Sequence, residues 1–181
     1  LTSSWAASVV YTRQLDRVSD LATSVRDGRR TGATGEPITA VVSLGIGGSH
    51  LGPALAAEAL SHLTLADLTV RFSSNLDGAD LVAALDGLEP ASTLIVVCSK
   101  SFTTVETLTA AQSARGWLAE GLGVDRAAEH VVAVTASPER SEAFGIPAEL
   151  TFELPQWVGG RFSPAAYTHL RAHEPVLAPV C

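Results

Sequence analysis

A single lysine lies where this chain could bind an anion. Eleven of its 12 basic residues are arginines, and the exception is Lys100. The residues around it carry four hydroxyls, those of Ser99, Ser101, Thr103 and Thr104. A compact ammonium among hydroxyls, between the end of a strand and the start of a helix, suits a phosphate group. A capped helix with a solvated lysine is the alternative that these residues leave open.

A second loop of similar character spans residues 45–49, with three glycines and Ser49, after the apolar run 40–44. Glycines let the backbone approach a ligand closely, although a tight turn without a ligand also uses them. A dinucleotide site is disfavoured because the spacing is not Gly-x-Gly-x-x-Gly, and the P-loop pattern is absent. Two anion-binding loops in one small domain favour a phosphosugar.

Further candidates lie outside these loops. Paired glycines precede Arg161 in the segment 158–163, where amides and a guanidinium can converge on an oxygen-rich group; a surface turn is the alternative. Glu106, in the first turn of the helix after the lysine loop, fits either the helix dipole or a site. His169 and His173 have a metal-like spacing but no third ligand, so we expect no metal.

Composition limits the function classes. The chain has 181 residues, 46% of them hydrophobic and 17% charged, with a net charge of −7, so we expect a globular domain. Its arginines are scattered, which argues against a nucleic-acid or membrane-binding surface. We find no stretch near the ~20 apolar residues of a membrane span and no signal-peptide pattern. We therefore expect a cytoplasmic protein.

The periodicity predicts alternating strands and helices, hence a parallel sheet covered by helices on both faces. Both anion-binding loops then follow strands at their carboxyl ends, where such sheets bind ligands. The predicted strands are 38–44, 68–73, 93–98, 130–135 and 150–154. The predicted helices are 12–26, 54–63, 79–88, 103–118 and 138–144, with Pro53 in the first turn of the second.

These motifs together resemble the phosphoglucose isomerase family. The resemblance runs from about Gly28 to Ser163 and includes the two loops, the segment 74–78 and the segment 158–163. It implies a sugar isomerase (SIS) domain, a three-layer α/β/α sandwich with a mainly parallel five-stranded sheet. It also implies interconversion of glucose 6-phosphate and fructose 6-phosphate through a cis-enediolate, with no metal or cofactor, by a homodimer.

The resemblance also assigns roles to individual residues. Arg161 stabilises the enediolate beside Gly160, and His50 departs from the aspartate common at its position. Glu106 lies close to the sugar. The other implied substrate-binding residues are Gly48, Ser49, Ser99, Lys100, Ser101, Thr103 and Thr104.

Parts of the family's catalytic machinery are missing from these motifs. The general-base glutamate, the ring-opening histidine and a lysine lie beyond Ser163 in the family. We therefore expect an inactive fragment. Residues 1–30 form a helical segment, 31–163 the SIS domain, and 164–181 a non-native or truncated tail. A phosphosugar-sensing module without catalysis, or half of a fused sugar-phosphate enzyme, remain as alternative functions.

Overall fold

The computed structural model describes residues 2–156 and Val158, with side chains from Thr12 onward. Five parallel strands form one sheet in the order β2-β1-β3-β4-β5, and helices cover both of its sides. The predicted α/β class and five-stranded parallel sheet are therefore confirmed. The strands are β1 (Ala40–Leu44), β2 (Thr69–Ser73), β3 (Thr93–Cys98), β4 (Val131–Thr135) and β5 (Thr151–Glu153).

The helices connect successive strands, as the alternation predicts. They are α1 (Thr2–Arg26), α2 (Gly48–Ala59), α3 (Gly78–Leu85), α4 (Val105–Leu122), α5 (Val124–Ala127) and α6 (Pro138–Ala143). Short 3₁₀ turns precede three strands at Pro90–Ser92, Ala128–His130 and Ala148–Leu150, and another follows α2 at Ser61–Leu63. The sequence did not predict α5, and α1 begins at Thr2 rather than at residue 12.

The predicted position of Pro53 in a first turn is wrong. Helix α2 already begins at Gly48, so Pro53 lies inside it. The ring nitrogen of proline has no hydrogen, and the helical bond to the Ser49 carbonyl is lost. The sequence pattern pointed to a later start because the glycines and the serine before the proline read as loop.

Strands β1 and β3 form the centre of the core. Val42, Leu44, Ile95 and Val97 are fully buried there, as expected for strands covered on both faces. Helix α4 packs with Ala111, Ala114 and Leu118 among its buried residues. Helix α2 differs: it buries none of its residues although most are apolar.

A buried histidine ties the segment before β1 to the sheet. The Nε2 atom of His130 accepts a hydrogen bond from the Ala33 N–H at 2.7 Å, so the hydrogen of its neutral ring lies on Nδ1. Nδ1 donates to the Thr93 carbonyl at 2.8 Å. A Cβ at Gly32 would clash with this ring. The role of His130 is therefore structural.

None of the helices in the described residues is long and apolar enough to cross a membrane.

Candidate functional site

The strand order places the two predicted anion-binding loops side by side. The chain leaves β1 toward β2 on one side and leaves β3 toward β4 on the other, so the order reverses between β1 and β3. Crevices for ligands form at such a reversal, beyond the carboxyl ends of the strands. The glycine loop lies against the end of β3, where the lysine loop begins, because a Cβ at Gly45 would lie 3.0 Å from the Cys98 carbonyl oxygen.

The loop 99–104 has its first three carbonyl oxygens bound to donors of the protein. The Ser99 oxygen accepts a hydrogen bond from the Phe102 N–H at 3.2 Å. The Lys100 oxygen accepts two, from the Ala136 N–H at 2.8 Å and from the Thr135 hydroxyl at 3.1 Å. The Ser101 oxygen accepts one from Arg140 Nη1 at 2.7 Å. These bonds satisfy the three carbonyl oxygens and hold them in place, so that their partial negative charges do not face an anion.

The N–H groups of the same loop are left for a ligand. In a trans peptide the C=O and the N–H point in opposite directions. The Lys100 oxygen points toward Thr135 and Ala136 at the end of β4, so the N–H of the same peptide, that of Ser101, points away from β4. No described group accepts from the N–H of Lys100, Ser101 or Thr103. The Thr104 side chain leaves the first turn of α4 uncapped. The loop therefore offers an anion several donors at a helix N-terminus.

Phe102 gives the loop its shape. It has a φ of 51°, in the left-handed region, which costs a non-glycine residue about 1–2 kcal/mol. Its side chain is nevertheless buried, and its ring meets that of Phe144 edge to face at 5.8 Å. This packing holds the reversal that places Lys100 and Ser101 before the turn and Thr103 after it.

The polar side chains of this loop lie close together. The hydroxyls of Ser101 and Thr103 are 2.7 Å apart, and the Ser99 hydroxyl donates to that of Thr104 at 3.4 Å. Lys100 is half-buried and has no hydrogen bond or ion pair to any described side chain. Its ammonium is therefore available to an anionic ligand.

The glycine loop supplies the other wall. Gly47 has a φ of 57° and a ψ of −121°, which a residue with a side chain rarely adopts, and it precedes α2 without a side-chain cap. Gly48 and Ser49 are half-buried in the first turn of α2. Two helix N-termini, those of α2 and α4, thus begin at the same reversal of strand order.

A shallow groove lies between the loop after β1, the end of β2 and the first turns of α4. Glu106 lines it, beside the glycine loop, whereas Lys100, Ser101 and Thr103 do not. Its lining residues are Gly45, Ile46, Ser73, Ser74, Asn75, Glu106, Thr107 and Ala110. A polyhydroxyl ligand bound here would meet a carboxylate, an amide and hydroxyls.

Asp80 shapes one wall of the groove and was missed by the sequence analysis. Burial acts to raise the pKa of its carboxyl, but hydrogen bonds from Ser74, Ser73 and Asn75 and the charge of His50 lower the pKa below its ordinary value. The Ser73 hydroxyl and the Ser74 N–H each lie 2.8 Å from the same carboxylate oxygen. An acidic residue at the third position of α3 was the available signal.

His50 belongs to this side of the site. Its ring meets Phe72 of β2 edge to face at 5.7 Å. Its Nδ1 is buried without a hydrogen-bond partner among the described residues. Because β2 and β3 flank β1 on opposite sides, His50 lies away from the lysine loop.

The remaining predicted residues cannot be placed. Gly160, Arg161, His169 and His173 lie outside the described residues, as does the whole tail 164–181. Val158 is buried, and its N–H donates to the Pro155 carbonyl at 3.0 Å. In the part of the chain that the structure describes, no group of three or more His, Cys, Asp or Glu side chains could hold a metal ion.

Burial raises the pKa of the Cys98 thiol, with a small opposing effect of a hydrogen bond to Ser43. The thiol is therefore protonated at neutral pH and poorly nucleophilic. Cys98 serves as a packing residue between the two loops.

Comparison with known proteins extends the motif resemblance. The family model described as phosphoglucose isomerase matches residues 6–170, a wider range than the motifs span. Glucose-6-phosphate isomerase from Mycolicibacterium smegmatis is 52% identical over 149 residues, and that from Streptomyces griseus is 52% identical over 151. Each match covers 82% of this chain and 27% of the relative. The chain thus spans about a quarter of these relatives' length.

Solved structures give the same picture. A glucose-6-phosphate isomerase from Chlamydia trachomatis superposes with a TM-score of 0.66 at 30% identity, over 84% of this chain and 27% of that one. A hypothetical protein from Thermus thermophilus superposes with a TM-score of 0.60 at 31% identity, over 83% of this chain and 35% of that one.

Proposed function

This chain belongs to the phosphoglucose isomerase family, and we propose that it supplies the phosphate-binding part of a glucose-6-phosphate isomerase. Its ligands are then glucose 6-phosphate and fructose 6-phosphate. The observation that carries the proposal is the pair of loops at the reversal between β1 and β3. They present N–H groups, hydroxyls and one ammonium, while three carbonyl oxygens of the loop 99–104 already accept hydrogen bonds from the protein.

Local donors must hold the phosphate, since the chain as a whole carries a net charge of −7. Hydrogen bonds that involve a charged group contribute about 1.5–3 kcal/mol each. The donors are the N–H groups of Lys100, Ser101 and Thr103, the Lys100 ammonium and a set of hydroxyls and facing-loop groups. The hydroxyls are those of Ser99, Ser101, Thr103 and Thr104, and the facing loop adds Gly48 and the Ser49 hydroxyl. This set recognises the phosphate and leaves the sugar to the neighbouring groove.

The sugar carbons then lie toward Glu106. Arg161, with Gly160, stabilises the negative charge of a cis-enediolate as a proton moves between C1 and C2. Side chains can run such a proton transfer, and no metal or organic cofactor is required. General acid–base catalysis contributes ~10²–10⁴ in rate, and the general base and the ring-opening histidine come from the part of the relatives that this chain does not span.

Several wider properties belong to the same proposal. The enzyme acts in glycolysis and gluconeogenesis in the cytoplasm, as a homodimer that binds neither nucleic acid nor membrane. Residues 31–163 form its SIS domain, and the part of the tail beyond the family match, from residue 171, is foreign to it. The 181-residue chain alone is inactive.

A chimera tests this function. Residues 28–163 replace the matching segment of the Mycolicibacterium smegmatis glucose-6-phosphate isomerase, and conversion of fructose 6-phosphate to glucose 6-phosphate is measured. We expect the activity of the chimera to be within about tenfold of that of the parent enzyme. In the Lys100→Met variant of the chimera, kcat/KM should fall at least tenfold through a raised KM, because one charged contact to the phosphate is removed. A folded chimera that binds fructose 6-phosphate but does not turn it over would instead favour the sensing module.

A further inference from the structure

One arginine outside the predicted site contacts the phosphate loop. Arg140, in α6, donates from Nη1 to the Ser101 carbonyl oxygen at 2.7 Å, across 39 residues of sequence. Its side chain is exposed, and it forms no ion pair with a described carboxylate, although Glu139 and Glu142 are on the same helix. At their spacing on the helix these two carboxylates do not face Arg140. The hydrogen bond that the structure describes for the guanidinium is the one to the loop carbonyl.

The bond fixes one end of a peptide unit whose other end is also held. The Ser101–Phe102 peptide has its oxygen on Arg140 and its N–H on the Ser99 carbonyl, at 3.2 Å. This peptide leads into the left-handed φ of Phe102. Without Arg140 its carbonyl can rotate toward the ligand side, where its oxygen would repel an anion.

We propose that Arg140 is a positioning residue for phosphate binding. It holds the Ser101 carbonyl away from the anion and adds a second positive charge beside Lys100. This inference rests on the proposed function, because the loop must bind phosphate for its positioning to matter. The sequence analysis missed Arg140, since it follows a different strand from the loop it supports.

The test measures binding of inorganic phosphate to the 181-residue chain by NMR titration. Arg140→Met removes the donor and the charge but keeps the aliphatic stem, and we expect the Kd to rise about tenfold. Arg140→Lys keeps a charged donor, and we expect a Kd within about threefold of the original. The amide nitrogen shift of Phe102 reports the bond to the Ser101 carbonyl without any ligand, and it should move in the methionine variant alone.

Arg126→Met is the matched control. Arg126 is also exposed and has no described side-chain partner, but it lies in α5, before the amino end of β4. The substitution changes the net charge equally, and we expect no change in Kd. Equal weakening by both methionine variants would reduce the effect to net charge and overturn the proposal, as would an unchanged Kd in Arg140→Met. If the original chain binds no phosphate, the proposed function itself fails.

Discussion

Side chains from separate elements complete this site: the loop after β3 carries Lys100, and α6 carries Arg140, which bonds to that loop. Lys100 and its neighbouring hydroxyls could be predicted because their chemistry is continuous in the sequence. Arg140 could not, because it acts on a loop that only the folded sheet brings near. Asp80 was missed although it lies close in sequence to Ser73 and Ser74, which it bonds. The left-handed backbone of Phe102 could not be predicted for another reason. It is imposed by packing against Phe144 and not by the residue type.

The Asp80 carboxylate gives the first pH-dependent prediction. Since its pKa is lowered in the folded chain, its stabilising effect is complete above its ordinary pKa near 3.8 and is lost as the pH falls through the lowered value. We expect Asp80→Asn to reduce the free energy of unfolding by about 1 kcal/mol at pH 7. The difference should shrink as the pH falls below 3.8 and the carboxyl takes up a proton in the folded chain as well.

Urea unfolding between about pH 2.5 and 7 measures this effect. Asp67→Asn is the control, because Asp67 is exposed and has no described partner, and its difference should stay near zero throughout. A constant difference for Asp80→Asn across the pH range would refute the charge-based account.

At the scale of elements, the strands were predicted better than the helix starts. Strand β3 was predicted with its observed bounds, and β1 and β2 to within two residues at their start. Continuous apolar runs locate buried strands because a strand covered on both faces requires apolar side chains at nearly every position. Helix α2 began six residues early because glycines at its first turn serve the loop and the helix together.

Gly45 couples two of these elements. A Cβ there would lie 3.0 Å from the carbonyl oxygens of Cys98 and Ser49, both of which are backbone atoms that cannot turn aside. We expect Gly45→Ala to lower the free energy of unfolding by about 1–3 kcal/mol and to separate the two anion-binding loops. Chemical denaturation measures the loss.

The same substitution at Gly116 should have the opposite sign. Gly116 is exposed within α4, and a Cβ added there would meet nothing within 4 Å. Alanine should therefore stabilise the helix by up to about 1 kcal/mol. Equal effects at both positions would mean that the close approach of the loops carries no energetic weight.

At the scale of the whole molecule, the strand order unites the observations. Nothing in the sequence patterns fixed the order β2-β1-β3-β4-β5, yet this order makes the two loops neighbours. The family match and the fold agree on a domain that spans 27% of its relatives. Helix α2 exposes apolar side chains beside this site, with Leu51 and Leu55 at 50% and 63% exposure.

Binding of fructose 6-phosphate, compared with fructose, to the 181-residue chain tests the central claim most directly. We predict binding that requires the phosphate, weakens about tenfold in Lys100→Met, and shifts the amide signals of residues 45–49 and 99–104. Equal binding of the two sugars, or amide shifts confined to other parts of the sheet, would contradict a phosphate site at the reversal of strand order.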